Sequence, residues 1–128
     1  DELTTTGHSH VWEVSRGALT EHDLDPRDLG IARSQMSDLV GGTPEHNAAV
    51  VRRVFAGEPG PVRDIVLLNA AAGLVAFDLA HKPASADLPF LERLSLGLEK
   101  ASAALDSGAA LSKLDQWAAV TGELGSAR

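Results

Sequence analysis

Asp1 and Glu2 are the side chains in this chain best suited to chemistry. Adjacent carboxylates are hard oxygen donors. Magnesium takes oxygen ligands, keeps several waters, and is typically held by one or two carboxylates together with substrate phosphates. A loop carrying such a pair could hold a divalent cation against a phosphorylated substrate. On its own the dipeptide is more often a solvated acidic loop. No helix cap or signal segment precedes it, and a domain does not ordinarily open on such a pair. Residues 1–128 are therefore expected to be the C-terminal part of a longer polypeptide, and the pair to depend on residues upstream.

Other residues suggest chemistry more weakly. His8 and His10 stand two apart, a spacing that shares one face of a strand. With Asp1 or Glu2 nearby they could form a histidine–carboxylate zinc site, as in a metal hydrolase; an ordinary exposed pair is the better reading of them, and of His22 if it lies across from them. Gly41-Gly42-Thr43-Pro44 resembles a phosphate cradle at a helix N-terminus. No Lys or Arg follows before Arg52, and a helix stop followed by a helix cap accounts for the same residues. Asn69 interrupts an apolar run and is expected to hydrogen-bond the backbone of an adjacent loop rather than a substrate. Trp12 and Trp117 read as core or interface residues rather than ligand stackers.

Composition narrows the classes. Eleven basic and 18 acidic residues give a net charge of −7, with no basic patch to meet a nucleic-acid backbone. The absence of cysteine excludes disulfides, thiolate catalysis and cysteine zinc sites, and is compatible with the cytoplasm. The longest apolar run, residues 65–77, is broken by Asn69 and is shorter than the ~20 residues a membrane-spanning helix needs. A hydrophobic fraction of 44% is enough for a core.

The elements that must position these residues follow from pattern. Residues 9–14 and 18–24 are β-rich and flank Ser15-Arg16-Gly17, a hairpin turn. Trp12 and Val14 share one face of the first strand, and Asp25-Pro26 ends the second. A short helix is expected over 34–40, capped by Ser34. A second opens at Thr43-Pro44-Glu45 and closes at Gly57. A third, from Gly60-Pro61 to about Ala80, is apolar almost all round and should be the central helix, with small residues at 70–73 admitting a close neighbour. Asp87 could cap a fourth carrying Leu91, Leu94, Leu98, Ala101 and Leu105, which Asp106-Ser107-Gly108 would end. A fifth carries Leu111, Leu114 and Trp117. A lone hairpin is marginal. It needs the helices, or sheet partners upstream.

In order, Asp1-Glu2-Leu3, the hairpin, Leu39-Val40-Gly41-Gly42-Thr43-Pro44-Glu45-His46-Asn47-Ala48, Leu67-Leu68-Asn69-Ala70-Ala71 and Asp106-Ser107-Gly108-Ala109-Ala110 resemble the C-terminal part of anthranilate phosphoribosyltransferases, over the whole chain. Pyrimidine nucleoside phosphorylases share the general fold, but the Gly-Gly and Leu-Asn-Ala-Ala elements resemble the anthranilate family. The resemblance implies an α/β fold, with residues 1–128 forming the C-terminal portion of the phosphoribosyltransferase α/β domain: a β-hairpin followed by about five helices. It implies a cytoplasmic transferase of tryptophan biosynthesis that moves phosphoribosyl from phosphoribosyl pyrophosphate (PRPP) to anthranilate and releases pyrophosphate. It also implies up to two magnesium ions, one held by Asp1 and Glu2, and a homodimer formed through a helical N-terminal domain. The family's glycine-rich pyrophosphate loop, Lys-His-Gly-Asn-type segment and anthranilate-binding Arg have no counterpart in these residues, so the chain alone is expected to be inactive. A different class is a non-catalytic helical interaction module that keeps this scaffold.

Overall fold

In the computed structural model, which describes residues 2–126, two antiparallel strands precede four α-helices. Strand β1 (Ser9–Ser15) pairs with β2 (Ala18–Leu24), Ser15 opposite Ala18, so only Arg16 and Gly17 form the loop. Both have positive φ, 52° and 76°, the combination that a two-residue hairpin turn matched to strand twist requires. Gly17 adopts it freely. Arg16 is held there by its side chain, which donates to Asp87 Oδ1 (2.8 Å) and to the carbonyl of Pro83. The hairpin tip is thereby tied to the 3-10 turn Pro83–Asp87 that leads into the third helix.

Helices α1 (Pro44–Phe55), α2 (Pro61–His81), α3 (Phe90–Asp106) and α4 (Ala109–Ser126) follow. The short helix expected over 34–40 is a single 3-10 turn, Met36–Leu39, whose N-cap is Gln35. Ser34 does not cap it. Ser34 is buried, and its N–H donates to the carbonyl of Thr5. Asp87 does not cap α3 either, because it is bound to Arg16 and Pro89 takes the cap position. Thr43 does cap α1, accepting from the N–H of His46, with Pro44 at the first helical position.

The core has two parts, both organised on α2. Leu24, Leu68, Ala71 and Leu94 form one, joined by Leu3, Val11 and Phe90; Val54, Leu67, Ala101 and Leu105 form the other, joined by Val50 and Phe55. Helices α2 and α3 come into close backbone contact where Gly97 faces Ala71. A β-carbon on Gly97 would lie 2.9 Å from the carbonyl oxygen of Ala71 and 3.1 Å from its Cα. The small residues expected to admit a neighbour do so here.

Two apolar surfaces stay open. Trp12 is 62% exposed and Trp117 65%, so neither is core. In β1 the half-buried set is Ser9, Val11, Glu13 and Ser15, while Trp12 and Val14 face outward beside Leu19 of β2. The inward face is set by Glu13, which reaches Arg93 of α3 at 2.9 Å. Among the described residues β1 pairs with β2 alone. Between β1 and α2 runs a groove of about 430 Å³ lined by Val11, Trp12, Val14, Val75, Ala76 and Leu79. No helix among the described residues is long and apolar enough to cross a membrane.

Replacing Gly97 by alanine tests the close contact. Helix propensity alone favours alanine by about 1 kcal/mol. Backbone overlap with Ala71, typically costing about 1–3 kcal/mol, should outweigh this and lower the thermal midpoint. A midpoint equal to or above that of the parent sequence would show that α2 and α3 are not locked here.

Candidate functional site

Asp1 lies outside the described residues. Glu2 is exposed at the edge of a shallow groove of about 560 Å³, lined also by Leu3, Thr4, His8, Ser9 and His10. The segment after Glu2 is held at several points. Leu3 N–H donates to Asn69 Oδ1 at 2.9 Å, and Asn69 Nδ2 donates to the Leu3 carbonyl, also at 2.9 Å. The second Nδ2 hydrogen goes to the carbonyl of Ile65, one turn back in α2. Thr4 N–H donates to Ser9 Oγ at 3.0 Å. Thr5 is fully buried, and its carbonyl accepts from Ser34. The expected loop contact of Asn69 is therefore present, and the loop it holds is the one carrying Glu2.

His8 and His10 do not converge. His8 Nδ1 lies 2.9 Å from Asp23 Oδ2 and its Nε2 3.5 Å from Asp25 Oδ2, whereas His10 Nε2 lies 3.2 Å from Glu21. Among the described residues no three His, Asp or Glu side chains gather to hold a metal. His22 is not part of an exposed pair. It stacks on Phe90, with ring centres 4.0 Å apart and an interplanar angle of 7°. The Gly41-Gly42 segment is occupied by its own helix: Asn47 accepts from Gly42 N–H at 2.8 Å and donates to the Gly42 carbonyl. With the Gly42 amide bound to Asn47 and Thr43 capping α1, the segment fits a helix stop followed by a helix cap.

Two polar clusters support the hairpin. Glu13 on β1 pairs with buried Arg93, which also donates to the Leu88 carbonyl and lies over the Phe90 ring. At the foot of β2, buried Asp25 accepts from Arg27 (2.6 Å to Nη2, 2.9 Å to Nε) and from Arg33 Nη2 (2.8 Å). Its carboxyl also receives the Arg27 N–H and its own N–H donates to Asp28, closing a capping box around the turn Pro26–Leu29. The Arg27 guanidinium, with help from the Arg27 N–H and Arg33, holds the Asp25 carboxyl far below the usual carboxylate range against the opposing effect of burial. Only Asp25-Pro26 marks this knot in the sequence. The part played by Arg33, eight residues on, emerges from the fold.

The family model described as "Glycosyl transferase family, a/b domain" matches residues 1–111. The chain belongs to this glycosyl transferase family. It is 61% identical over 121 residues to the anthranilate phosphoribosyltransferase of Leifsonia xyli subsp. xyli, covering 94% of this chain and 35% of the relative. It is 60% identical to the Clavibacter sepedonicus protein of the same name, covering 94% and 34%. Among solved structures, the anthranilate phosphoribosyltransferase of Thermus thermophilus superposes with a TM-score of 0.71 at 35% identity, covering 93% of this chain and 32% of that one. The chain thus spans about a third of the length of the curated relatives it matches. The mixed α/β arrangement, a hairpin followed by four helices, matches the corresponding part of that solved structure.

Asp25 makes this glycosyl transferase chain sensitive to acid in a defined direction. Its carboxyl titrates lower when folded than the ~3.9 of an unfolded aspartate. Its contribution is therefore complete above about pH 4 and is lost as pH falls below that value. Asp25→Asn should lower stability at pH 7 and flatten the loss of stability on going from pH 4 to pH 2. Urea titrations at pH 7, 4 and 2 check this, and an unchanged dependence of stability on pH in the variant contradicts it.

Proposed function

We propose that residues 1–128 are the C-terminal third of an anthranilate phosphoribosyltransferase, the phosphoribosyltransferase α/β domain from its acidic pair onward. The identity of 61% across 94% of the chain to a relative bearing that name carries this reading. The reaction transfers phosphoribosyl from PRPP to the amino nitrogen of anthranilate, with release of pyrophosphate, in tryptophan biosynthesis. The whole enzyme is proposed to be a cytoplasmic homodimer assembled through its helical N-terminal domain.

Within that reaction the chain's share is to place Glu2, together with Asp1, beside the pyrophosphate. The donor chemistry fits magnesium: an exposed carboxylate at the rim of an open groove leaves room for waters and substrate phosphates, which complete a site that takes only one or two protein carboxylates. When bound, magnesium supplies electrostatic stabilisation of the departing pyrophosphate. Glu2 contributes oxygen and negative charge, and the anchored residues 3–6 supply a rigid base behind it. The pyrophosphate loop and the anthranilate pocket belong to the remaining two-thirds of the enzyme, so the 128-residue chain by itself is proposed to be inactive.

The test follows the PRPP-dependent loss of anthranilate fluorescence, with magnesium and then with EDTA, in the full-length enzyme and in residues 1–128. Metal-dependent loss with the first and none with the second is expected. In the full-length enzyme, Asp1→Asn combined with Glu2→Gln should lower turnover at least about 100-fold, with the thermal midpoint unchanged. Wild-type turnover in that variant would remove the carboxylates from the chemistry.

A further inference from the structure

We infer that Asn69 is a positioning residue for the Glu2 carboxylate, fixing the backbone next to it from 66 residues away; this rests on the proposed reading of Glu2 as a magnesium-holding carboxylate. Leu3 N–H, which Asn69 Oδ1 accepts, lies in the peptide unit joining Glu2 to Leu3. That unit is planar and includes the Cα of Glu2. The Leu3 carbonyl, to which Nδ2 donates, lies in the next peptide unit. One side-chain amide therefore clamps two successive planes, as a paired strand would. The plane fixes the Cα of Glu2; ψ of Glu2 and its side-chain torsions lie beyond the clamp.

The amide is itself held from behind. Its second Nδ2 hydrogen is bonded to the Ile65 carbonyl at 2.9 Å, which fixes the side-chain rotamer on α2. This pattern also sets which atom is oxygen: a flipped amide would point NH₂ at the Leu3 N–H and oxygen at two carbonyls. Beneath it α2 is anchored by fully buried Leu68 and Ala71, and Leu3 packs on the same cluster. Packing and hydrogen bonding thus run without a break from the central helix to the peptide behind Glu2. A polar residue one position after Leu68 serves no core-packing purpose, since an apolar residue could fill the same space without needing partners. Its bonding groups match those of an extended backbone, and the backbone it meets is the one next to the carboxylate.

The experiment uses the full-length enzyme and Mn²⁺ as the probe, its free concentration read by electron paramagnetic resonance in the presence of pyrophosphate. Three variants are compared: Asn69→Leu, Asn69→Asp and Glu2→Gln. Asn69→Asp keeps the size and the acceptor for Leu3 N–H but presents oxygen to two carbonyls, so it reports the same loss if the leucine variant does not fold. Groups that orient metal ligands typically contribute about 10–100-fold to metal affinity. The folded Asn69 variant is expected to weaken one class of Mn²⁺ sites about 10-fold or more, the same class that Glu2→Gln weakens, with the far-ultraviolet circular dichroism spectrum unchanged. A lowered thermal midpoint with Mn²⁺ affinity intact, while Glu2→Gln weakens binding, overturns the role of Asn69 and leaves the carboxylate reading standing. Mn²⁺ affinity intact in Glu2→Gln overturns both.

Discussion

Gly97 meets Ala71 without an intervening side chain, and that contact fixes how deeply α2 and α3 sit in one another. The helices are then close enough for Leu68 and Leu94 to share one cluster and for Leu67, Ala101 and Leu105 to share the next. Both clusters are small. A wider spacing would open voids between them, and interiors tolerate voids poorly. Everything on the hairpin side is referred to this pair of helices: Leu3 and Asn69 through α2, Glu13 and His22 through α3.

The hairpin is attached by polar groups as much as by apolar ones. Leu24 and Val11 reach the core, but Glu13–Arg93 and the Asp25–Arg27–Arg33 knot fix the angle of the strands. Glu13, Arg93 and Asp25 are withdrawn from water, while Arg27 and Arg33 reach it. Ion pairs that bury charge are weak sources of net stability, because desolvation offsets most of the attraction. They are demanding of geometry, however. Arg93 meets its partners only with Glu13 and the Leu88 carbonyl both in place, and Asp25 only with the turn after β2 formed. Orientation, more than stability, is what these groups contribute to the segment carrying Glu2.

Much of this is legible in the sequence. The two strands, the cap at Thr43-Pro44, the long α2 and the breaker at Ser107-Gly108 are local signals, set by backbone preferences within a few residues. Two helix starts differ from expectation, those assigned to Ser34 and Asp87. Both have the right chemistry for caps, but neither holds the cap position once the chain is folded: Asp87 is claimed by distant Arg16, and Ser34, tied through its backbone N–H to Thr5, stands one residue before the cap Gln35. The orientation of β1 is also hidden. Trp12 and Val14 form the more apolar face by composition, yet Glu13 points inward because Arg93, 80 residues later, waits for it. A charge reads as solvated until its counterion is known. In the site, Asn69 is visible as an anomaly within an apolar run, but its partner is not, since nothing local links it to Leu3.

The outer edge of β1 also governs how the chain behaves in solution. Among the described residues, the seven of this strand pair on one side only, flanked by exposed Trp12, Val14 and Leu19. Exposed strands of that length invite edge-to-edge pairing between molecules, and natural edges are usually blunted by lysine, proline or a bulge. β1 has none of these; Glu21, opposite Trp12, is the charge paired across the sheet from the apolar patch. Concentration is therefore a quantity to control in work with residues 1–128, because an open edge of this kind favours pairing between copies as it rises.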